Sequence, residues 1–326
     1  MLAGLFRSNQ PGVLLALLVL VPLLFGHTAL EPYAVAPSVM PLMSLLVPLV
    51  EGGSWAQGIL GMVLIIAIGV QLTFLVNETE LMERRNHLPA FLFPVLLAAF
   101  SRNVPLDPAL AGMPLVILAL RRTWSMTNTG RALGALFDAG LLLGVASLFY
   151  LPYAFLVVVV WASASVIRPF HWREYVVPLL GCALVFYVAW AVLLLLGHEH
   201  WRPLLTIAHQ VPVDRTVATA IEPQRALLYT ILAPLLLVAA RVFARGYQRS
   251  VMREKNLRSS FLAFTVALGV IIGFVSLLNN AFPPVLLATP LAVFGGYALL
   301  GTRRAWLSEA AAFALLAVAL WAQWGK

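Results

Sequence analysis

Residues 121–175 read RRTWSMTNTGRALGALFDAGLLLGVASLFYLPYAFLVVVVWASASVIRPFHWREY. Two apolar runs, 136–150 and 151–167, meet at a Tyr-Leu-Pro-Tyr turn, and a basic, aromatic segment lies at each outer end. Continuous rather than alternating apolar runs are typical of helices in lipid, where a helix satisfies its own backbone polar groups. The stretch therefore predicts a helical hairpin in a membrane, with a basic segment, a central hairpin and a basic-aromatic loop.

The rest of the chain has the same apolar character. Of its 326 residues, 62% are hydrophobic and 10% are charged, whereas soluble domains are about half apolar and about a quarter charged. We therefore expect an all-α fold, a polytopic transmembrane helical bundle in a single integral-membrane domain, residues 1–326. It has about 11 membrane segments, since one crossing takes about 20 residues. The predicted segments are 12–30, 55–76, 88–100, 108–120, 136–150, 151–167, 176–197, 226–244, 261–279, 282–300 and 306–323.

Some segments are too short for an ordinary crossing. Residues 88–100 and 108–120 are either two short helices or one re-entrant hairpin, and residues 40–50 suit an interfacial or re-entrant piece. Both alternatives for 88–120 return the chain to the same side. The topology of the later segments therefore does not depend on the choice.

Basic residues divide unequally between the two sides. With the N-terminus in the cytoplasm, 16 of the 21 lysines and arginines lie inside and the other five outside. The positive-inside rule then predicts a multi-pass protein of the bacterial inner membrane, with residues 198–225 as a periplasmic loop. The net charge of +8 is explained by basic loops facing anionic lipid, so we expect the lipid bilayer and no nucleic acid as a partner.

Several segments carry a family resemblance. They are the basic start Arg121-Arg122-Thr123-Trp124, then LFDAG at 136–140, ASLFY at 146–150 and RPFHWREYVVP at 168–178, with FRSNQP at 6–11. These segments resemble a family of uncharacterised integral membrane proteins from Bacteroidota. The likeness covers roughly two thirds of the chain and weakens after residue 225. Because no activity is known for that family, the resemblance implies no catalytic residue.

The arrangement of segments is also similar to that of membrane glycosyltransferases that use polyprenyl-phosphate sugars. That likeness implies a polyprenyl-phosphate lipid as a possible partner and a catalytic acid in the first outer loop, where Glu31 is the candidate. From the residues themselves, Glu31 and Asp107 share the predicted outer face with Arg102 and Arg202. Such a set could bind an anionic head group and deprotonate an acceptor hydroxyl. The alternative is solvated loop charge.

The predicted inner face holds a second candidate site. Arg121, Arg168, Trp172 and Arg173 either bind a lipid phosphate or anchor the chain at the membrane interface. Asp138 begins an apolar run, and we expect it near the start of its helix in a structural ion pair with Arg122 or Arg131.

Other clusters point to contacts rather than to chemistry. The basic segment 245–260 indicates lipid contact, or docking of a membrane or cytoplasmic protein partner. His198, Glu199 and His200 have side chains of the types that bind metals. On a helix, the side chains of residues two apart in sequence point in different directions, so we expect no metal and no cofactor. No phosphate-binding loop or nucleophile motif is present, which argues against a primary pump or a soluble-type hydrolase.

Three functions remain open. The first is a non-catalytic membrane subunit or scaffold for an envelope or secretion complex. The second is a glycosyltransferase using a polyprenyl-phosphate sugar donor at the outer face, and the third is a transporter. Whether the protein is an enzyme is left undecided by the sequence.

Overall fold

A computed structural model of the chain describes residues 2–8, 10–29, 40–50, 54–101, 106–127, 132–168, 170–196, 223–279, 282–302 and 304–325. Every regular element in these ranges is a helix. The α-helices are α1 (Leu2–Arg7), α2 (Leu17–Phe25), α3 (Pro41–Val50), α4 (Ser54–Glu78), α5 (Leu88–Phe100), α6 (Pro108–Trp124), α7 (Ala132–Ser147), α8 (Val157–Ile167), α9 (Trp172–Leu195), α10 (Pro223–Arg249), α11 (Met252–Asn279), α12 (Pro284–Gly301) and α13 (Ala305–Trp324). Short 3₁₀ segments lie at Pro11–Ala16, Gly26–Ala29, Ser125–Thr127 and Leu151–Leu156.

Helix length and composition confirm the predicted class. Six helices, α4 and α9 to α13, are long and apolar enough to cross a membrane. Shorter apolar helical segments lie at Pro11–Phe25, Leu88–Phe100, Ala132–Ser147 and Leu151–Ile167. The protein is therefore a multi-pass membrane protein with an all-α bundle. Within the first predicted span, 12–30, the α-helix covers Leu17–Phe25, and a 3₁₀ segment that begins with a Pro-Gly pair precedes it.

Helix α5 forms the centre of the bundle. Every residue from Leu88 to Ala99 is buried, and α2, α4, α12 and α13 pack around it. A helix that is apolar on all sides is expected to be enclosed in this way. Sequence hydropathy does not distinguish such a helix from one that faces lipid.

Contacts at its two termini give the direction of α5 relative to α13. At one terminus, the His87 N–H donates to the Phe6 carbonyl at 2.8 Å, and α1 also reaches the start of α13, where the Gly4 N–H donates to Glu309. At the other, Gln323 near the end of α13 donates to the carbonyls of Ala98 (2.7 Å) and Ser101 (2.5 Å). Helices α5 and α13 are therefore parallel. Whether residues 88–120 form two short helices or one re-entrant hairpin stays a prediction.

Described contacts of two arginines mark one end of the bundle. At the end that we call the basic end, Arg7 donates to the Leu299 carbonyl and Arg121 pairs with Glu78. At the opposite end, the Trp324 indole donates to the Leu23 carbonyl at 3.0 Å. Helix α3 lies at the opposite end too, where Met43 and Leu106 form a small apolar cluster beside Phe149.

Small residues allow α7 and α9 to pack closely. A Cβ atom at Gly140 would overlap the Pro178 carbonyl, and one at Gly181 would lie 2.7 Å from the Phe137 carbonyl oxygen. Gly144 meets Val185 in the same contact. Close backbone approach over small residues is a common way for helices to associate in lipid.

Candidate functional site

The two predicted catalytic acids have different outcomes. Glu31 lies outside the described residues. Asp107 lies at the opposite end of the bundle, where it is the N-cap of α6 and its Oδ1 accepts a hydrogen bond from the Ala109 N–H at 3.2 Å. An aspartate in this position satisfies one of the unpaired N–H groups of the first helical turn.

Two tyrosines surround this carboxyl group. The Tyr153 hydroxyl donates to the Ala109 carbonyl at 2.6 Å, and its ring packs edge-on against Tyr150 at a centroid distance of 5.2 Å. The Tyr150 hydroxyl is buried and has no hydrogen-bond partner among the described residues. Tyr150 lies in the turn between α7 and the following 3₁₀ segment, so this turn brings the phenol to the start of α6.

Burial changes the acidity of both groups. Loss of water raises the pKa of Asp107 from its ordinary 3.8 to about 6, although the Ala109 N–H opposes the shift. Burial also raises the pKa of Tyr150, and the nearby Asp107 charge adds to that effect. A carboxyl group with a pKa near neutrality can exchange a proton with a bound hydroxyl group.

The predicted lipid-phosphate residues lie at the basic end, and two of them are already paired. Arg121 forms a bidentate ion pair with Glu78 at the end of α4, with N–O distances of 2.6 and 2.7 Å. Arg168 Nε lies 3.4 Å from Oε1 of Glu174, a buried residue in the first turn of α9. The two arginines thus bind carboxylates on different helices.

The aromatic part of the same segment is exposed. Trp172 is 64% exposed, and the Arg173 guanidinium lies 5.8 Å from the centre of its ring. Phe170 packs on Tyr175 at 5.0 Å between ring centroids. Exposed tryptophan and arginine at a helix terminus suit the interface between lipid and water. A phosphate pocket joining Arg121 to these residues stays a prediction.

Asp138 differs in position from the prediction. Helix α7 begins at Ala132 rather than at residue 136, so Asp138 lies in the second turn and not at the helix start. Its carboxylate is 3.8 Å from Arg122 Nε, and both side chains are about half exposed. The prediction of a place at the helix N-terminus was wrong, because the four residues before position 136 also belong to the helix.

Sequence reasoning missed the structure of the segment 79–87 at the basic end. Asn86 is completely buried; its side chain accepts from the Leu88 N–H at 3.1 Å and donates to the Arg84 carbonyl at 2.8 Å. Asn77 exchanges two further hydrogen bonds with the Asn86 backbone. The Tyr297 hydroxyl of α12 donates to the Leu81 carbonyl. This charged segment is therefore fixed against the bundle.

A buried arginine lies next to that segment. Arg258, in the second turn of α11, is 2% exposed, and it lies beside the Tyr297 hydroxyl. Its Nη1 is 2.7 Å from the position of a Cβ atom at Gly246 in α10. Nothing in the sequence separates Arg258 from the exposed arginines of the basic segment 245–260.

The fold defines the class of multi-pass α-helical membrane proteins. The particular group follows from comparison with known families. The model described as "Family of unknown function (DUF6427)" matches residues 40–322, and the chain belongs to that family. The match continues well past residue 225, where the resemblance was expected to weaken. No curated protein matches the chain, and no solved structure does.

Proposed function

We propose that this protein is a non-catalytic membrane subunit, a scaffold that holds a partner protein at its basic end. The observation that supports the proposal is the length of α10 and α11. They have 27 and 28 residues, about 40 Å of helix, whereas the hydrocarbon core is about 30 Å thick. The extra turns carry the basic segment 245–260, so they form a rigid projection beyond the lipid.

The charges on this projection suit an acidic partner. Arg245, Arg249 and Arg253 are exposed, and none of them forms an ion pair with another described residue. Exposed charge of one sign steers a partner of the opposite sign and sets the docking orientation. A non-catalytic subunit of an envelope or secretion complex would use such a surface.

The proposal includes a location and an orientation. We place the protein in the bacterial inner membrane with the basic end in the cytoplasm, since anionic lipid and the positive-inside rule favour that arrangement. A cytoplasm-active reporter fused after Lys255 should be active, and one inserted within 203–220 should be inactive. The reverse pattern, or equal activity of both fusions, would overturn the orientation.

Docking can be tested by cross-linking in the native cell. A photo-reactive residue at position 249 or 253 should give one cross-linked product of constant mass, and the same residue at Val270, an exposed apolar position of α11, should not. The double change Arg249→Glu and Arg253→Glu should abolish the product and leave membrane insertion intact. The proposal fails if the purified native protein runs as the chain alone and position 249 gives no product.

A second candidate function is supported by Asp107 and Tyr150. A carboxyl group with a pKa of about 6 beside a buried phenol could act as the base in transfer of a sugar from a polyprenyl-phosphate donor. Glu31 remains a proposed partner acid for that reaction. Purified protein that transfers sugar from such a donor, with loss of transfer in Glu31→Gln or Asp107→Asn, would replace the scaffold proposal.

A further inference from the structure

Arg258 is a buried cation that interacts with the Tyr297 hydroxyl through part of its guanidinium group. Its Nε and Nη1 atoms have no hydrogen-bond partner in the part of the chain that the structure describes. No described carboxylate lies within ion-pair distance of it, although Glu83 and Glu254 are close enough to act on the neighbouring Tyr297. A guanidinium removed from water in this way is costly unless an anion or further hydrogen bonds compensate it.

A groove lies beside this cation, between α10 and α11. Its volume is about 380 Å³, and it is lined by Phe243, Ala244, Tyr247 and Gln248 from α10 and by Ser259 and Leu262 from α11. Arg258 immediately precedes Ser259, and the guanidinium lies against Gly246, the residue before Tyr247. The Tyr247 and Ser259 hydroxyls are 3.2 Å apart. The groove thus combines two hydroxyl groups with a neighbouring buried cation.

Exposed apolar residues continue from the groove along α10 and α11, and we call these two stripes the apolar channel. Although α10 and α11 are joined by two residues, α10 packs mainly on α12 and α13, and α11 on α8 and α12. One and two helical turns beyond Leu262, Val266 and Val270 occupy the same face of α11 and are exposed. On α10, Ala240 and Leu237 lie one and two helical turns before Ala244 and are exposed as well.

We propose that this groove binds one anionic lipid, with the phosphate at Tyr247, Ser259 and Arg258 and an acyl chain along the channel. A phosphate supplies several acceptor oxygens, which suit the fork of donors on a guanidinium. The exposed Arg245, Arg249 and Arg253 lie close by in sequence and raise the local concentration of anionic lipid. Apolar length next to a polar, cationic end matches a lipid and not a free anion. The inference does not depend on the partner protein proposed above.

The test uses the full-length protein in detergent and in nanodiscs. Native mass spectrometry should show a phosphatidylglycerol adduct that survives detergent removal, whereas phosphatidylcholine should bind at least about tenfold more weakly, because its quaternary ammonium cancels the phosphate charge and is repelled by a cationic site. Arg258→Gln should weaken phosphatidylglycerol binding by about tenfold or more, and Ser259→Ala by a smaller factor, because each removes a hydrogen-bond donor to the charged phosphate.

Control variants keep the result interpretable. Arg85→Gln removes an exposed cation of the segment 79–87, outside the groove, and should leave the adduct within about twofold of the parent protein, as expected for a screened surface charge. Thermal stabilisation by phosphatidylglycerol should be lost in Arg258→Gln and kept in Arg85→Gln. If Arg258→Gln does not fold, Ser259→Ala and Tyr247→Phe carry the test through adduct retention.

Two results would overturn the proposal. The first is equal retention of phosphatidylglycerol by the parent protein, Arg258→Gln and Ser259→Ala. The second is equal thermal stabilisation by inorganic phosphate and by phosphatidylglycerol, since this would identify a soluble anion as the ligand.

Discussion

Replacing Gly140 with alanine is expected to destabilise the protein, whereas the same replacement at Gly134 is expected to be neutral or slightly stabilising. Both glycines are in α7, so the change in helix propensity is the same at the two positions. A Cβ atom at Gly140 would overlap the backbone of Pro178 in α9, while one at Gly134 would meet nothing within 4 Å. The pair therefore isolates the packing of α7 on α9.

The expected signs follow from two opposing effects. Alanine is a better helix former than glycine by about 0.8–1 kcal/mol, and this gain applies at Gly134, which is exposed. At Gly140 the methyl group must displace backbone atoms that cannot rotate away, and overpacking typically costs about 1–3 kcal/mol. We expect the packing cost to exceed the propensity gain at Gly140, with a net loss of about 1–2 kcal/mol.

The measurement is unfolding of the purified variants in detergent, followed by tryptophan fluorescence. Gly181→Ala, on the α9 side of the same contact, should behave as Gly140→Ala does, because its Cβ atom would approach Phe137 and Leu141. Similar midpoints for Gly140→Ala and Gly134→Ala would contradict the close approach of the two helices.

Sequence reasoning succeeded where lipid imposes the answer. A chain in hydrocarbon must bond its backbone internally, so long apolar runs predict helices. The same reasoning could not separate α5, which is enclosed by protein, from α9, which is largely exposed, since both are apolar on all sides. The start of α7 was also displaced: the helix begins at Ala132, six residues before Asp138, and not at residue 136.

The polar groups were harder to predict because their partners are distant in sequence. Asp107 was a candidate from its position in an outer loop, but Tyr150, 43 residues later, reads as part of an apolar run. Arg258 looks like one more cation in a basic segment. Its burial is produced by Gly246 and Tyr297 on two other helices, which sequence periodicity does not reveal.

Replacing Asp107 with asparagine is expected to stabilise the protein at neutral pH. The folded-state pKa of Asp107 is raised to about 6 from an ordinary 3.8. An acid whose pKa is raised by folding binds its proton more tightly in the folded state, so ionisation works against folding. The penalty is absent below pH 3.8, grows as pH rises towards 6, and is constant above that value. Asparagine keeps an acceptor for the Ala109 N–H and removes the charge.

The expected gain in the free energy of unfolding at pH 7.5 is about 1–3 kcal/mol. The upper value follows from the size of the pKa shift of Asp107, and the lower value allows for the partial exposure of its side chain. Near pH 4 the variant and the parent protein should unfold at nearly the same point. Asp138→Asn is the control: that carboxylate is about half exposed and lies 3.8 Å from Arg122, so its neutralisation should give no gain. Lower stability of Asp107→Asn at pH 7.5 would mean that the carboxylate is held by interactions stronger than burial.

The same variant distinguishes the two proposed functions. A scaffold needs Asp107 only as the cap of α6, and asparagine caps a helix about as well as aspartate does. A more stable Asp107→Asn protein that still supports growth and keeps its cross-linked partner would therefore assign Asp107 a structural role. A transferase needs a group that can take up a proton, which an amide cannot do at neutral pH. A variant that gains stability but loses function would place Asp107 at the reacting hydroxyl group, because removing a strained catalytic charge improves folding at the expense of chemistry.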